Sequence, residues 1–341
     1  MRKTLFCGVD LHCNNAMYVI TDGRDKQLFR KRLPNRLPII LESLEPFRQR
    51  LKVVAVESTY NWYWLVDGLQ DHDYPVVLAN PAQMDQYNGI KEADDLTDAA
   101  FIARLARLNI LPTGYIYPKE ERPVRDLLRR RTLVVQHRTA IKQSLQNMAI
   151  RQTGQSFGWR AIRKLSDPER TELLGDNDCL GFVALQQVDL IELLSEKIQR
   201  FEKKILEHAH LKPAYVCLLS LPGVGMILAL TIMLETGDIG RFETVGDYTS
   251  YCRCVRATRT SNGKSKGKNN SKNGNRYLAW AFVEAVHHAI RNCPQAKRFY
   301  DRKRAKRNGA LATKALAAKW SKAAYYIMKR QETFDLTRVF G

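Results

Sequence analysis

Two apolar runs, each closed by an acid, constrain this chain more than any other feature. Leu5-Phe-Cys-Gly-Val9 runs into Asp10, and Val53-Val-Ala-Val56 runs into Glu57. Each reads as a short strand, and where two such strands neighbour each other both carboxylates leave the sheet at the same depth. Around them the pattern alternates. Residues 16–20 and 27–30 complete a three-strand meander with turns at Asn14-Asn15 and Asp22-Gly23. Residues 38–50 carry Ile39, Ile40, Leu41, Leu44 and Phe47 at near-helical spacing. A Trp-bearing helix over 61–69, a strand over 76–79 and a helix from about Asp95 to Leu108 follow. The predicted order is βββαβαβα.

The remainder reads differently. Residues 118–215 are almost wholly helical in pattern: Leu127, Leu128, Leu133, Val134, Ile141 and Leu145 recur between basic residues, and 182–210 form one amphipathic segment ending near Pro213. Two long helices with thin apolar stripes fit an antiparallel hairpin, a coiled-coil dimer arm or a plain helical connector. The Pro222-Gly-Val-Gly225 segment before the next apolar helix fits either a phosphate-holding helix-hairpin-helix turn or an ordinary helix turn. Residues 251–276 then hold eight cations and no acid: Arg253, Arg256, Arg259, Lys264, Lys266, Lys268, Lys272 and Arg276. The Ser, Asn and Gly between them build no core, which implies a mobile loop. Leu278, Ala281, Phe282 and Ala285 mark one face of a further helix. A second basic cluster follows at Lys297, Arg298, Arg302, Lys303, Arg304, Lys306 and Arg307, and an Ala-rich helix over 310–328 comes last.

Charge names the class of partner. Lys and Arg number 55 against 35 acids, a formal net charge of +20. Phosphate backbones are the commonest polyanions able to neutralise such an excess. The most apolar stretch, 226–234, is far short of the ~20 residues of a bilayer span, and the N-terminal apolar run breaks at Asp10, too soon for a signal peptide. No membrane association and a cytoplasmic location, on the nucleoid when DNA is bound, are the expectations. Seven cysteines without zinc spacing read as reduced thiols, mostly in cores.

Chemistry gathers at the acids. Asp95 and Asp98 stand one helical turn apart and share a face. Asp94 is a rival for Asp95, at i, i+4 from Asp98. Four carboxylates around a small site repel unless hard cations sit among them, and Mg²⁺ prefers such oxygen donors. Two ions ~3.5–4 Å apart hold both the attacked and the departing oxygen of a phosphodiester. Trp62 and Trp64 read as core in preference to base-stacking residues, and His287 and His288 as structural.

On these residues the chain resembles a known family. Val9-Asp10-Leu-His12, Val56-Glu57-Ser58 and Asp95-x-x-Asp98-Ala99 are similar to the DEDD tetrad of insertion-sequence transposases with a RuvC-like N-terminal domain. Leu219-Ser-Leu-Pro-Gly-Val-Gly225, Gly237-Asp-Ile-Gly-Arg-Phe242, Tyr251-Cys-Arg-Cys254, Thr260-Ser-Asn-Gly-Lys264 and 273–281 resemble the C-terminal transposase domain of the same family, so the likeness runs from about residue 4 to 328. The resemblance implies an α/β RNase H-like (RuvC-like) domain over 1–115, a helical or coiled-coil linker over 116–213, a mainly α C-terminal domain over 214–330 and a tail over 331–341. It implies a site-specific DNA recombinase guided by an element-encoded non-coding RNA, with metal, two Mg²⁺ replaceable by Mn²⁺, on Asp10, Glu57, Asp95 and Asp98. It places a serine nucleophile at Ser261, with Thr260, Ser265 and Ser271 as alternatives if the alignment slips. Donor and target DNA, the guide RNA and a homodimer or homotetramer are the implied partners. Asn262, where the family has a Ser-Gly segment, together with Cys252-Arg-Cys254, looks like the subgroup that targets attachment sites. Two other readings stay open: a metal-dependent structure-selective nuclease in which water attacks, and a nucleic-acid-binding protein without catalysis.

Overall fold

In the computed structural model, residues 4–84, 87, 95–175, 178–255, 258–261, 264–268 and 273–340 are described. The chain divides into two compact units, Met1–Ile116 and Tyr117–Gly341. The first is a mixed α/β sheet and the second is mainly helical.

The sheet of the first unit has six strands: β1 (Leu5–Leu11), β2 (Asn15–Asp22), β3 (Gln27–Pro34), β4 (Leu51–Glu57), β5 (Val76–Ala79) and β6 (Thr113–Gly114). Their spatial order is β3-β2-β1-β4-β5-β6. The meander is antiparallel, β1/β4 and β4/β5 are parallel, and β6 is antiparallel to β5. Helices α1 (Leu37–Leu44), α2 (Tyr63–Gln70), α3 (Pro81–Met84) and α4 (Asp95–Arg107) fill the connections, so the predicted order holds with two small elements added. Alternation along β1 sends Leu5, Cys7, Val9 and Leu11 into a core with Ile40, Leu44, Leu65 and Leu69 from α1 and α2. Gly8 and Asp10 therefore face the opposite side, where α4 lies. Strand β1 is buried throughout because both faces are covered, whereas β3 is largely exposed and carries Arg30, Lys31 and Arg32, charges that keep an edge from pairing further. Trp62 is buried in the α1/α2 core and Trp64 packs against it, as their spacing predicted.

In the second unit, α5 (Arg122–Thr153) and α8 (Asp178–His208) lie side by side. Arg131 bonds Glu202 and Arg138 bonds Ser195, so the two helices run antiparallel. Between them come α6 (Trp159–Ile162) and α7 (Asp167–Leu174), the latter started by a Ser166/Glu169 capping box. Leu145, Ala149, Ala184, Val188 and Ile191 form the seam of the pair. Part of each stripe is covered by this pairing, while Leu133 of α5 and Phe182, Leu190 and Leu193 of α8 remain exposed. Helices α9 (Pro213–Leu218), α10 (Met226–Thr236), α11 (Val245–Tyr251), α12 (Arg276–Asn292), α13 (Pro294–Lys306) and α14 (Gly309–Arg330) build the larger core around Trp320, Tyr248 and Phe282. Leu278, Ala281, Phe282 and Ala285 are all buried in it. The tail over 331–341 packs on this core: Phe334 and Phe340, the latter in α15 (Leu336–Phe340), lie 6.0 and 5.9 Å from the Trp320 ring. Four of the seven cysteines, Cys7, Cys252, Cys254 and Cys293, are buried, and all seven are free thiols. Burial pushes the Cys254 thiol up to about 12, which keeps it protonated and inert.

Candidate active site and nucleic-acid interface

The sheet register carries the two strand-end acids to one level. Parallel pairing of β1 with β4 ends at Val9 opposite Val56, and the next residues along the two strands are Asp10 and Glu57. Equivalent positions on adjacent parallel strands point to one face, and that face is the one α4 covers. What lets α4 come so close is Gly8: a Cβ there would stand 2.0 Å from the Ala99 carbonyl oxygen and 2.6 Å from the Ala103 nitrogen. The seat continues with Ala55 and Ala79 of the sheet against Ile102 of α4, and with Met17 and Val19 against Ala99. Asp98 lies one residue before Ala99, and the backbone of Asp95 opens the helix one turn earlier.

Asp10 is 4% exposed, a burial that an acid tolerates only with compensation. Its Oδ2 is enclosed, makes no hydrogen bond among the described residues, and lies 3.2 Å from His12 Nε2. Glu57 and Asp98 are half-buried. A buried, incompletely satisfied carboxylate oxygen facing a helix start that carries further acids suits a hard cation, so the oxygen donors fit the metal that the sequence implied. Among the described residues no three His, Cys, Asp or Glu side chains are already gathered at ion-holding distances. The side chain of Asp95, and all of Asp94, lie outside the described residues.

The basic segment differs from the expected loop. Thr258–Ser261 (β7) and Lys264–Lys268 (β8) form an antiparallel hairpin in which Ser261 pairs with Lys264 across Asn262-Gly263. Asn-Gly between two short strands is a strong two-residue turn signal, and it was legible in the sequence. The expectation of a mobile loop followed from the missing apolar residues, but backbone pairing needs none. Arg256 and Lys272 lie outside the described residues, as do the side chains of Arg259, Ser261, Lys264, Lys266 and Lys268. Arg253 and Arg276 flank the hairpin. Arg253 Nε donates to the Gly274 carbonyl at 3.1 Å, and Arg276 Nη2 donates to Tyr277 Oη at 2.9 Å. The second basic cluster is exposed: Arg298, Arg302, Lys303, Arg304, Lys306 and Arg307 all face solvent on and just beyond α13.

Sequence reasoning missed the buried group beneath this hairpin. Glu235, 1% exposed at the end of apolar α10, receives Arg129 Nε at 2.5 Å on Oε1, and Arg125 Nε at 3.1 Å and Asn275 Nδ2 at 2.7 Å on Oε2. Burial by itself raises the carboxyl; the hydrogen bond from Arg129 and the charges of Arg125 and Arg129 outweigh it and hold Glu235 below the usual carboxylate range. A lone acid in an otherwise apolar helix was the available signal.

Comparison with known proteins finds matches in both halves of the chain. Residues 7–151 match a transposase model of the DEDD, IS110 type, and residues 215–301 match the Transposase IS116/IS110/IS902 family. Between them these cover about two thirds of the chain. Both matches are to transposases of IS110 type. Transposase domains of the DEDD type typically depend on divalent metal ions. Over 173 residues, half of this chain and 42% of the relative, it is 26% identical to the insertion element IS110 uncharacterized 43.6 kDa protein of Streptomyces coelicolor. Over 237 residues, 68% of this chain and 56% of the relative, it is 25% identical to the putative transposase y4qE of Sinorhizobium fredii. The aligned part thus spans about half the length of these relatives. Among the described residues no helix is long and apolar enough to cross a membrane.

Proposed function

We propose that the chain is a DNA recombinase of an insertion sequence, with an RNase H-like first unit whose Asp10, Glu57, Asp95 and Asp98 hold divalent metal and a second unit that delivers Ser261. The observation carrying this reading is the common level of Asp10 and Glu57 on the face seated by α4 through Gly8. Mg²⁺ in that cradle supplies charge neutralisation for the phosphate and a lowered pKa for the hydroxyl beside it. The residues of the chain do the rest. The hairpin brings Ser261 to the phosphodiester, and its flanking cations, Arg259 and Lys264, orient the phosphate. A bond forms from Ser261 Oγ to phosphorus while the bond from phosphorus to the 3′ oxygen breaks. The hydroxyl proton leaves to solvent and the 3′ oxygen takes one up, so the products are a 5′-phosphoserine and a free 3′-hydroxyl. Reversal on an exchanged strand conserves the bond energy, and no nucleotide cofactor is consumed.

The net charge and the exposed cations of α13 suit both DNA and a structured RNA guide. An element-encoded guide, targeting of attachment sites, and a homodimer or homotetramer whose active sites combine acids and serine from different subunits complete the proposal. The test uses the full chain, co-expressed with its element's flanking RNA and given plasmid DNA bearing the element ends. A covalent protein–DNA adduct that requires Mg²⁺ and disappears in Ser261→Ala supports the reading. Cutting that persists in Ser261→Ala identifies a nuclease in which water attacks. Binding indifferent to Mg²⁺ and to Asp10→Asn, without cutting, identifies a protein that only binds nucleic acid. The guide is tested by sequencing RNA that copurifies.

A further inference from the structure

We propose that Glu235 and Asn275 are positioning residues that set the place of the Ser261 hairpin by tying its base to α5; the catalytic part of this inference rests on the reading of Ser261 as nucleophile. The segment bearing the hairpin leaves the core after Cys254 and returns at Gly274-Asn275. Its two ends are stitched together by Asn275 N donating to the Tyr251 carbonyl at 2.6 Å and by Arg253 Nε on the Gly274 carbonyl. Gly274 has φ +87, and a Cβ there would lie 2.4 Å from the Tyr251 carbonyl, so the closure is tight enough to demand glycine. Asn275 then does three things at once. Its Oδ1 caps α12 by accepting from Tyr277 N at 2.8 Å and Leu278 N at 3.2 Å, its backbone closes the hairpin base, and its Nδ2 reaches the Glu235 carboxylate.

Glu235 is in turn gripped by two guanidinium groups of α5, each also laid on an aromatic ring of the same region: Arg125 3.6 Å from the Tyr117 ring centre and Arg129 4.4 Å from that of Tyr277. Tyr117 Oη donates to the Glu235 carbonyl at 2.8 Å and lies 3.0 Å from Tyr251 Oη, closing the circuit on the other end of the hairpin. No apolar core is available to hold a segment made of Ser, Asn, Gly and cations. The orientation of the hairpin is therefore inherited from its base, and its base is referred through one carboxylate to the 32-residue helix α5.

Asn275→Ser is the decisive variant. Serine caps a helix about as well as asparagine but is too short to reach Glu235, so the strut is cut while the buried ion pairs and the cap survive. The full-length variant is compared with wild type and Ser261→Ala for melting temperature, affinity for plasmid DNA bearing the element ends, backbone amide exchange over 258–268, and single-turnover adduct formation at saturating DNA. The expected result is a melting temperature within about 3 °C, unchanged affinity, exchange in the hairpin faster by about tenfold with α5 and α10 unchanged, and adduct formation slower by about a hundredfold. Unchanged hairpin exchange, or a wild-type adduct rate in Asn275→Ser while Ser261→Ala is dead, overturns the inference and leaves the serine reading standing. So does a parallel fall in melting temperature, affinity and rate, which marks a merely structural residue. An adduct that persists in Ser261→Ala overturns the serine reading and with it the catalytic part of the inference.

Discussion

Asp10 is held by a strand in which every residue is buried, between two neighbours whose register is repeated over several pairs. The backbone of Ser261, by contrast, belongs to a two-stranded hairpin in a segment whose flanks, Tyr251 and Asn275, meet beside a single buried carboxylate. The first arrangement spreads its restraint over many apolar contacts, each worth little. The second concentrates restraint in a few polar contacts that are costly to leave half made. On the proposed reading of Asp10 as a metal-holding acid, rigidity is an advantage. The serine, on the same proposed reading, is placed by those few polar contacts.

This contrast can be broken or sharpened by substitution. The largest effect is expected from Asp10→Asn, which should lower strand cleavage by about 10³-fold, ~4 kcal/mol of barrier, without lowering the melting temperature, as read by adduct formation and thermal unfolding. Gly8→Val comes next, because its side chain meets the Ala99 backbone and not a side chain that can swing aside. Overpacking of this kind costs roughly 3 kcal/mol, so calorimetry of the full chain should show the first unit melting earlier. Glu235→Gln should cost about 3 kcal/mol by leaving two buried guanidinium groups short of a counter-charge. Its pH dependence gives a sharper reading. Glu235 titrates lower when folded than its ordinary 4.5, so its stabilisation is complete above that value and is lost as pH falls through the folded pKa. The gap in stability between wild type and Glu235→Gln should therefore be widest near neutrality and close in acid below about pH 4.5; a gap constant with pH would remove the carboxylate from the explanation. The smallest effects belong to the cations: Lys264→Ala or Lys266→Ala should each reduce the slope of log affinity against log salt by about 0.9, if each contacts one phosphate.

Much of the first unit was legible in the sequence. Strand periodicity and turn residues predicted the order of its larger elements, and the acids closing β1 and β4 were recognisable as a pair before any pairing was known. The two-residue strand β6 and the four-residue helix α3 were not, since so few residues carry no period. In the second unit the helices were legible and the hairpin was misread: the Asn262-Gly263 signal was present, but the basic composition around it carried more weight than the backbone pairing it permits. The group formed by Arg125, Arg129, Glu235 and Asn275 was illegible because its members come from α5, α10 and the cap of α12, and its bonds join residues up to 110 apart, as in Arg125–Glu235. No local period records such a meeting.

The amino-acid sequence determined the local elements, the polyanionic character of the partner and the chemical types at the site, because propensity, charge and side-chain chemistry are carried by each residue and its near neighbours. Only the tertiary structure decided that Asp10 and Glu57 stand level, that α4 rests on Gly8, and that Asn275, beyond the basic hairpin, meets a buried carboxylate. Register, close approach and burial are relations between distant segments, and they exist only once the apolar faces have packed.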